Sequence, residues 1–147
     1  MTPETAGKDA MRFLRNGNFT LDKSGNVVEI FATGAWDLAT TEAMIEEVHF
    51  LTQGLAQRPW AVLIDCRRWV LTTPECQNAM ARGIRQQIER GLSRTAYVMD
   101  SGMVKRAQIE RTHPDFRQQQ QDQRYQREYF YSYFKALKWL ETQGFAP

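Results

Sequence analysis

Cysteine and histidine are scarce in this 147-residue chain, with two of each: Cys66, Cys76, His49 and His113. Two cysteines cannot build the disulfide framework of a small secreted domain, and these scattered positions offer no metal-ligand cluster. Long apolar runs are missing too. The longest, residues 60–64, falls far short of the roughly 20 residues a membrane-crossing helix needs. Residues 1–17 lack the apolar stretch of a secretion signal. Nor does one sign of charge dominate: 19 Lys and Arg against 17 Asp and Glu leave +2, too little to imply a nucleic-acid partner. No nucleophile elbow or P-loop is present, and Gly102 stands alone. These absences predict a cytoplasmic protein with no membrane insertion, no nucleic acid, no metal and no cofactor.

What remains is ordinary globular material, 42% hydrophobic and 24% charged with a mean hydropathy of −0.56, at the size of one domain. Residues 1–16 keep no period and read as a flexible arm, leaving residues 17–147 as a single domain. Residues 18–22 and 27–33 alternate as two strands around the turn residues Lys23, Ser24, Gly25 and Asn26, which predicts a hairpin. From Asp37 the period becomes helical, with Met44, Val48, Leu51 and Leu55 on one face, Asp37 as N-cap and Gly54 as a left-handed stop. The run 60–65 then has the continuous apolarity of a parallel strand buried on both faces. A second helix opens with Thr73 as cap and Pro74 at its first position, carries Cys76, Met80, Ile84 and Ile88 inward, and ends at Gly91.

Residues 95–99 form the next strand, and 103–112 a weaker helix with Val104 and Ala107 on its apolar side, ended by Pro114. Residues 127–131 make an aromatic strand, and Ser132 caps a last helix that stops at Gly144. Between these lies a Gln-rich insert, residues 113–126, anchored only by Phe116 and Tyr125. Alternation of strands and helices implies right-handed crossovers on a mostly parallel sheet. The predicted fold is α/β: a five-stranded sheet, an N-terminal antiparallel hairpin strand and about four helices.

Several short pieces occur in a particular order: Gly34-Ala35-Trp36-Asp37 after the hairpin; residues 58–65 followed by Arg67 and Trp69; Thr73-Pro74-Glu75 opening a helix; and Phe130 ahead of Ala136-Leu137-Lys138-Trp139-Leu140. In these, from about Phe19 to Phe145, the chain resembles the STAS-like family related to the anti-sigma-factor antagonists, particularly its small bacterial SpoIIAA-like branch. The resemblance implies a βα superhelix with no catalytic apparatus and a regulatory role in bacterial signalling, exercised by binding a protein partner. In the antagonists a serine at the start of the second helix is phosphorylated. The matching stretch here holds Thr72 and Thr73 and lacks the serine motif. A phosphate would suit that helix end, yet an ordinary cap is the better reading of Thr73.

Ligands on open parallel sheets bind beyond the carboxyl ends of the strands, which singles out Trp36, Asp37, Asp65, Arg67, Arg68, Trp69 and Asp100. Two indoles offer flat apolar surface there, and an arginine fork can hold a carboxylate or phosphate. Against this stands the expectation that the tryptophans seal the core and the arginines pair with nearby acids. Asp65 and Asp100 without a metal or sugar groove make no catalytic pair, and neither histidine has a partner that would make it a general base. The sequence thus favours a non-enzymatic protein-binding domain, able to form a homodimer. The second reading is a carrier or sensor of a small apolar or anionic ligand near Trp36, Arg67 and Trp69.

Overall fold

A strand whose two faces are both covered must come from a sheet layered between helices, and the run beginning at Trp60 occupies that place. The structure, a computed structural model, describes residues 12–14, 17–55, 58–71, 73–100, 103–110, 112 and 124–147. Its elements are β1 (Arg12–Leu14), β2 (Gly17–Ser24), β3 (Val27–Trp36), α1 (Leu38–Leu51), a 3-10 turn (Gln53–Leu55), β4 (Trp60–Leu71), α2 (Pro74–Glu89), β5 (Leu92–Val98), α3 (Met103–Glu110), β6 (Gln126–Phe130) and α4 (Tyr133–Thr142). The strands lie in the order β1-β2-β3-β4-β5-β6. Pairing is antiparallel from β1 to β3 and parallel from β3 to β6.

The expected α/β architecture is present: hairpin, parallel sheet and crossover helices in the anticipated sequence. Residues 12–14, read as part of a loose arm, instead extend the sheet by pairing with the open side of β2, Arg12 opposite Phe19, where backbone donors and acceptors seek partners. Residues 1–11, and most of the Gln-rich insert (113–123), lie outside the described residues. The end of that insert does not: Tyr125 is buried, and its hydroxyl donates to Thr95 Oγ1 at 3.0 Å.

Two apolar layers flank the sheet. One, beneath α1, α2 and the end of α3, contains Phe19, Val28, Ile30, Trp36, Met44, Val62, Ile64, Trp69, Met80 and Ile109. The other lies beneath α4 and contains Val27, Ala61, Leu63, Ala96, Val98, Ala136, Leu140 and Phe145. Val62 and Ile64 fall in the first layer and Ala61 and Leu63 in the second, as strict alternation along a doubly covered strand requires.

Local expectations failed at the end of α1 and on the face of α3, and in α2 the buried face proved wider than the apolar stripe. α1 ends at Thr52, whose hydroxyl donates to the Val48 carbonyl at 2.7 Å; Gly54 sits in the following 3-10 turn rather than in a left-handed stop. In α2 the buried positions are Cys76, Ala79, Met80, Gly83 and Gln87, with Ile84 and Ile88 half-buried. All four residues of the expected stripe thus belong to or pack against the layer beneath α1 and α2, and Gly83 in addition admits Ile45 of α1, whose Cδ1 lies 2.8 Å from where a Cβ would stand. In α3, Ala107 is exposed and Ile109 buried; the Val104 side chain lies outside the described residues.

Candidate recognition site

The ends of β3 and β4 hold most of the residues singled out by the sequence, and both strands run further than the apolar pattern implied. Phe31 of β3 pairs with Asp65 of β4, but Thr33 pairs with Arg68, so that Cys66 and Arg67 together stand opposite Ala32. One extra residue on one strand is a β-bulge, which interrupts the two-residue period. Here it decides which side chains point inward. Ile64 and Cys66 belong to the layer beneath α1 and α2, and after the bulge it is Trp69, not Arg68, that joins them.

Trp36 and Trp69 are therefore core residues, 0% and 2% exposed. Their rings meet edge-on with centroids 5.4 Å apart, and Phe19 packs on Trp36 at 5.7 Å, the tilted geometry that aromatic quadrupoles favour. Trp36 Nε1 donates to the Thr33 carbonyl at 2.9 Å. Trp69 Nε1 is buried with no hydrogen-bond partner. Cys66 and Cys76 are buried free thiols in the same layer, and Cys76 Sγ lies 3.6 Å from the Trp36 carbonyl oxygen.

Asp65, Arg67 and Arg68 line a surface groove of about 530 Å3 together with Phe31 and Thr33. Asp65 accepts from Arg67 three times, from the backbone N at 3.1 Å, Nε at 3.0 Å and Nη2 at 2.6 Å. That bidentate pairing stabilises the charged guanidinium, raising the Arg67 pKa above its ordinary value. Arg68 is exposed. Phe31 stacks on Tyr133 of α4 at 6.3 Å and 23°, and the Tyr133 hydroxyl donates to the Glu29 carboxylate. Phe31, Val70, Tyr131 and Phe134 are exposed at 40%, 46%, 71% and 66%.

The rim predicted around Trp36, Arg67 and Trp69 is thus divided. The tryptophans lie inside one layer, while the arginines border the groove beside Phe31, whose ring packs on α4 of the opposite layer. Sequence reasoning missed Phe31 at the groove and Tyr133, which stacks on it. Phe31 carried a signal, since it falls between Glu29 and Thr33 on the face opposite Val28 and Ile30. The remaining candidates are structural or set apart. Asp37 caps α1, accepting from Thr40 N at 2.9 Å and Thr40 Oγ1 at 2.8 Å. Thr73 caps α2, accepting from Cys76 N at 3.2 Å, while Thr72 lies outside the described residues. Asp100 is exposed beyond the end of β5. His49 is exposed, its Nδ1 3.0 Å from Arg90 Nη1.

Among the described residues no cluster of His, Cys, Asp or Glu is arranged to hold a metal, and no helix is long and apolar enough to cross a membrane. No family model and no curated protein matches the chain. Solved structures do. An uncharacterised protein of the DUF3478 family with a SpoIIAA-like fold, from Shewanella loihica PV-4, superposes with a TM-score of 0.61 at 14% identity, covering 88% of this chain and 97% of that one. An anti-sigma factor antagonist from Mycobacterium paratuberculosis superposes with a TM-score of 0.53 at 13% identity, covering 90% of this chain and 96% of that one. At such identities the likeness is one of architecture, and by that measure this chain has the SpoIIAA-like fold.

Proposed function

We propose that this chain is a non-enzymatic, cytoplasmic regulatory protein that works by binding a protein partner in bacterial signalling. A shared fold does not fix a function, so the reading rests on the site. The observation that supports it is the groove lined by Phe31 and Arg68, because aromatic and arginine side chains are enriched at protein interfaces. Val70, Tyr131 and Phe134 are further exposed apolar side chains on these strand and helix ends, and a solved protein of the same fold is an anti-sigma factor antagonist. The partner surface that complements this groove offers an apolar side chain to Phe31 and a carboxylate to Arg68. Thr73 serves this reading as a cap, with no phosphate required.

The test compares capture from the native host by the wild-type chain and by a Phe31→Ser/Arg68→Glu variant. A protein retained by the first and lost by the second, with the variant folded by circular dichroism, is the expected result. Identical retention by both rejects this groove as the interface.

A further inference from the structure

Beneath α1, α2 and α3 lies a cavity of about 70 Å3, on the layer that contains Trp69 rather than at the Phe31 groove. Ile30, Val48, Val62, Ile64, Met80 and Ile109 are among the residues that line it, and all six are buried. The space thus lies within the core, and its surface is almost wholly apolar. Native interiors leave few voids larger than a water molecule, so one of this size calls for an occupant.

Water is a poor one, because a buried water needs about three polar partners. Four of the polar side chains around this space are engaged with other groups. Thr95 Oγ1 accepts from Tyr125 at 3.0 Å, and the Thr112 hydroxyl donates to the Ile109 carbonyl at 2.5 Å. Trp60 Nε1 donates to the Arg90 carbonyl at 3.2 Å, and Gln87 Oε1 accepts from Arg90 Nη1 at 2.9 Å. Trp69 Nε1 and Gln87 Nε2 have no hydrogen-bond partner, yet each exposes less than 1 Å2, so neighbouring atoms cover them and neither is offered to an occupant.

We propose that this cavity binds a small uncharged molecule of hydrocarbon character with no hydrogen-bonding group, of the short alkene or alkane class. Its 70 Å3 is about half the roughly 150 Å3 that accommodates benzene, which sets the size at roughly three or four heavy atoms. Met44 and Met80 both line it, and their unbranched thioether chains adapt to an occupant's shape. Ile45 and Gly83 line this cavity and also a surface hollow between α1 and α2. Gly83 has no side chain, so rotation of Ile45 is the movement that entry from the hollow requires. This inference is independent of the partner-binding groove.

The experiment titrates the intact chain with isobutene and with acetone, which has the same shape but a carbonyl in place of C=CH2. Carbon–proton correlation spectra follow the methionine methyl groups, with Met44→Leu and Met80→Leu to assign them. Isobutene is expected to shift both resonances saturably and to raise the urea midpoint by mass action. Acetone should bind at least about tenfold more weakly, because its carbonyl leaves water for a space that offers no donor. Val48→Leu, which moves the branch one carbon further into the cavity, and Val62→Ile, which adds a carbon there, should each weaken isobutene binding by roughly fourfold, the worth of one buried CH2; the second variant keeps the test intact if the first misfolds. Absence of saturable shifts at Met44 and Met80 overturns the proposal, as does acetone binding as tightly as isobutene. Unchanged isobutene affinity in whichever of the two variants is folded by circular dichroism places the molecule elsewhere and overturns it as well.

Discussion

The Tyr133 hydroxyl donates to the Glu29 carboxylate, joining α4 to β3 across 104 positions of sequence. This bond, followed by partial burial and by the charges of Glu29 and Asp22, pushes the Tyr133 pKa up from 10.0 to about 12. A neutral phenol can donate to a carboxylate; a phenolate cannot, and is repelled by it. A folded-state pKa above the unfolded one gives stability that is fully present below pH 10 and is lost as the pH rises through about 12. Glu29→Gln should therefore move the Tyr133 ionisation back toward 10, and Tyr133→Phe should remove this part of the alkaline loss of stability. Ultraviolet titration of the phenolate band checks it. Burial also raises Tyr97, Tyr125 and Tyr129, so the reading is the difference between wild type and variant; an unchanged titration curve contradicts the assignment.

Gly91 and Gly54 make a matched pair of opposite expectation. Gly91 has φ +111°, and a Cβ there would stand 2.4 Å from the Arg58 carbonyl oxygen and 3.2 Å from the Trp60 ring. Its own carbonyl accepts from Trp60 N at 3.1 Å, so the backbone at the start of β4 cannot easily retreat. Gly91→Ala should cost on the order of 1–3 kcal/mol from the backbone conformation alone, with the steric displacement added. Gly54 has open space around its Cα and no positive φ. Gly54→Ala should be neutral or stabilising by up to about 1 kcal/mol, through the unfolded chain. Urea denaturation of both variants separates them, and comparable losses at the two positions would show that the Gly91 contact is not what constrains it.

The contrast between those glycines also shows what a linear sequence carries. Helix starts were legible because capping is local: Asp37, Thr73 and Ser132 each accept from the backbone N–H three residues ahead. The order of elements along the chain after residue 16 was legible because period and alternation persist over many residues. The division of residues 65–69 was not, since the bulge that turns Trp69 inward is set by how β4 registers against β3, a property of two strands. Gln87 was missed for a related reason. It is buried beside the half-buried Ile88, which packs on the core as the apolar pattern implied, and its amide oxygen is satisfied by Arg90 at the helix end, a pairing that apolar spacing does not reveal.

That helix contact yields a coupled prediction. Gly83 lies in the interior of α2, where alanine is intrinsically better by about 0.8–1.0 kcal/mol. The added Cβ, however, would lie 2.8 Å from Ile45 Cδ1 and 2.9 Å from Ile45 Cγ1, too close for the present rotamer. In the wild-type background the helical gain should be offset by displacement of Ile45. In an Ile45→Ala background the obstruction is gone, and Gly83→Ala should then stabilise by about 0.8–1.0 kcal/mol, nearly its full helical value. A double-mutant cycle measured by urea denaturation isolates the difference. Additivity of the two substitutions would mean that Ile45 yields at no cost and that the α1–α2 spacing is set elsewhere.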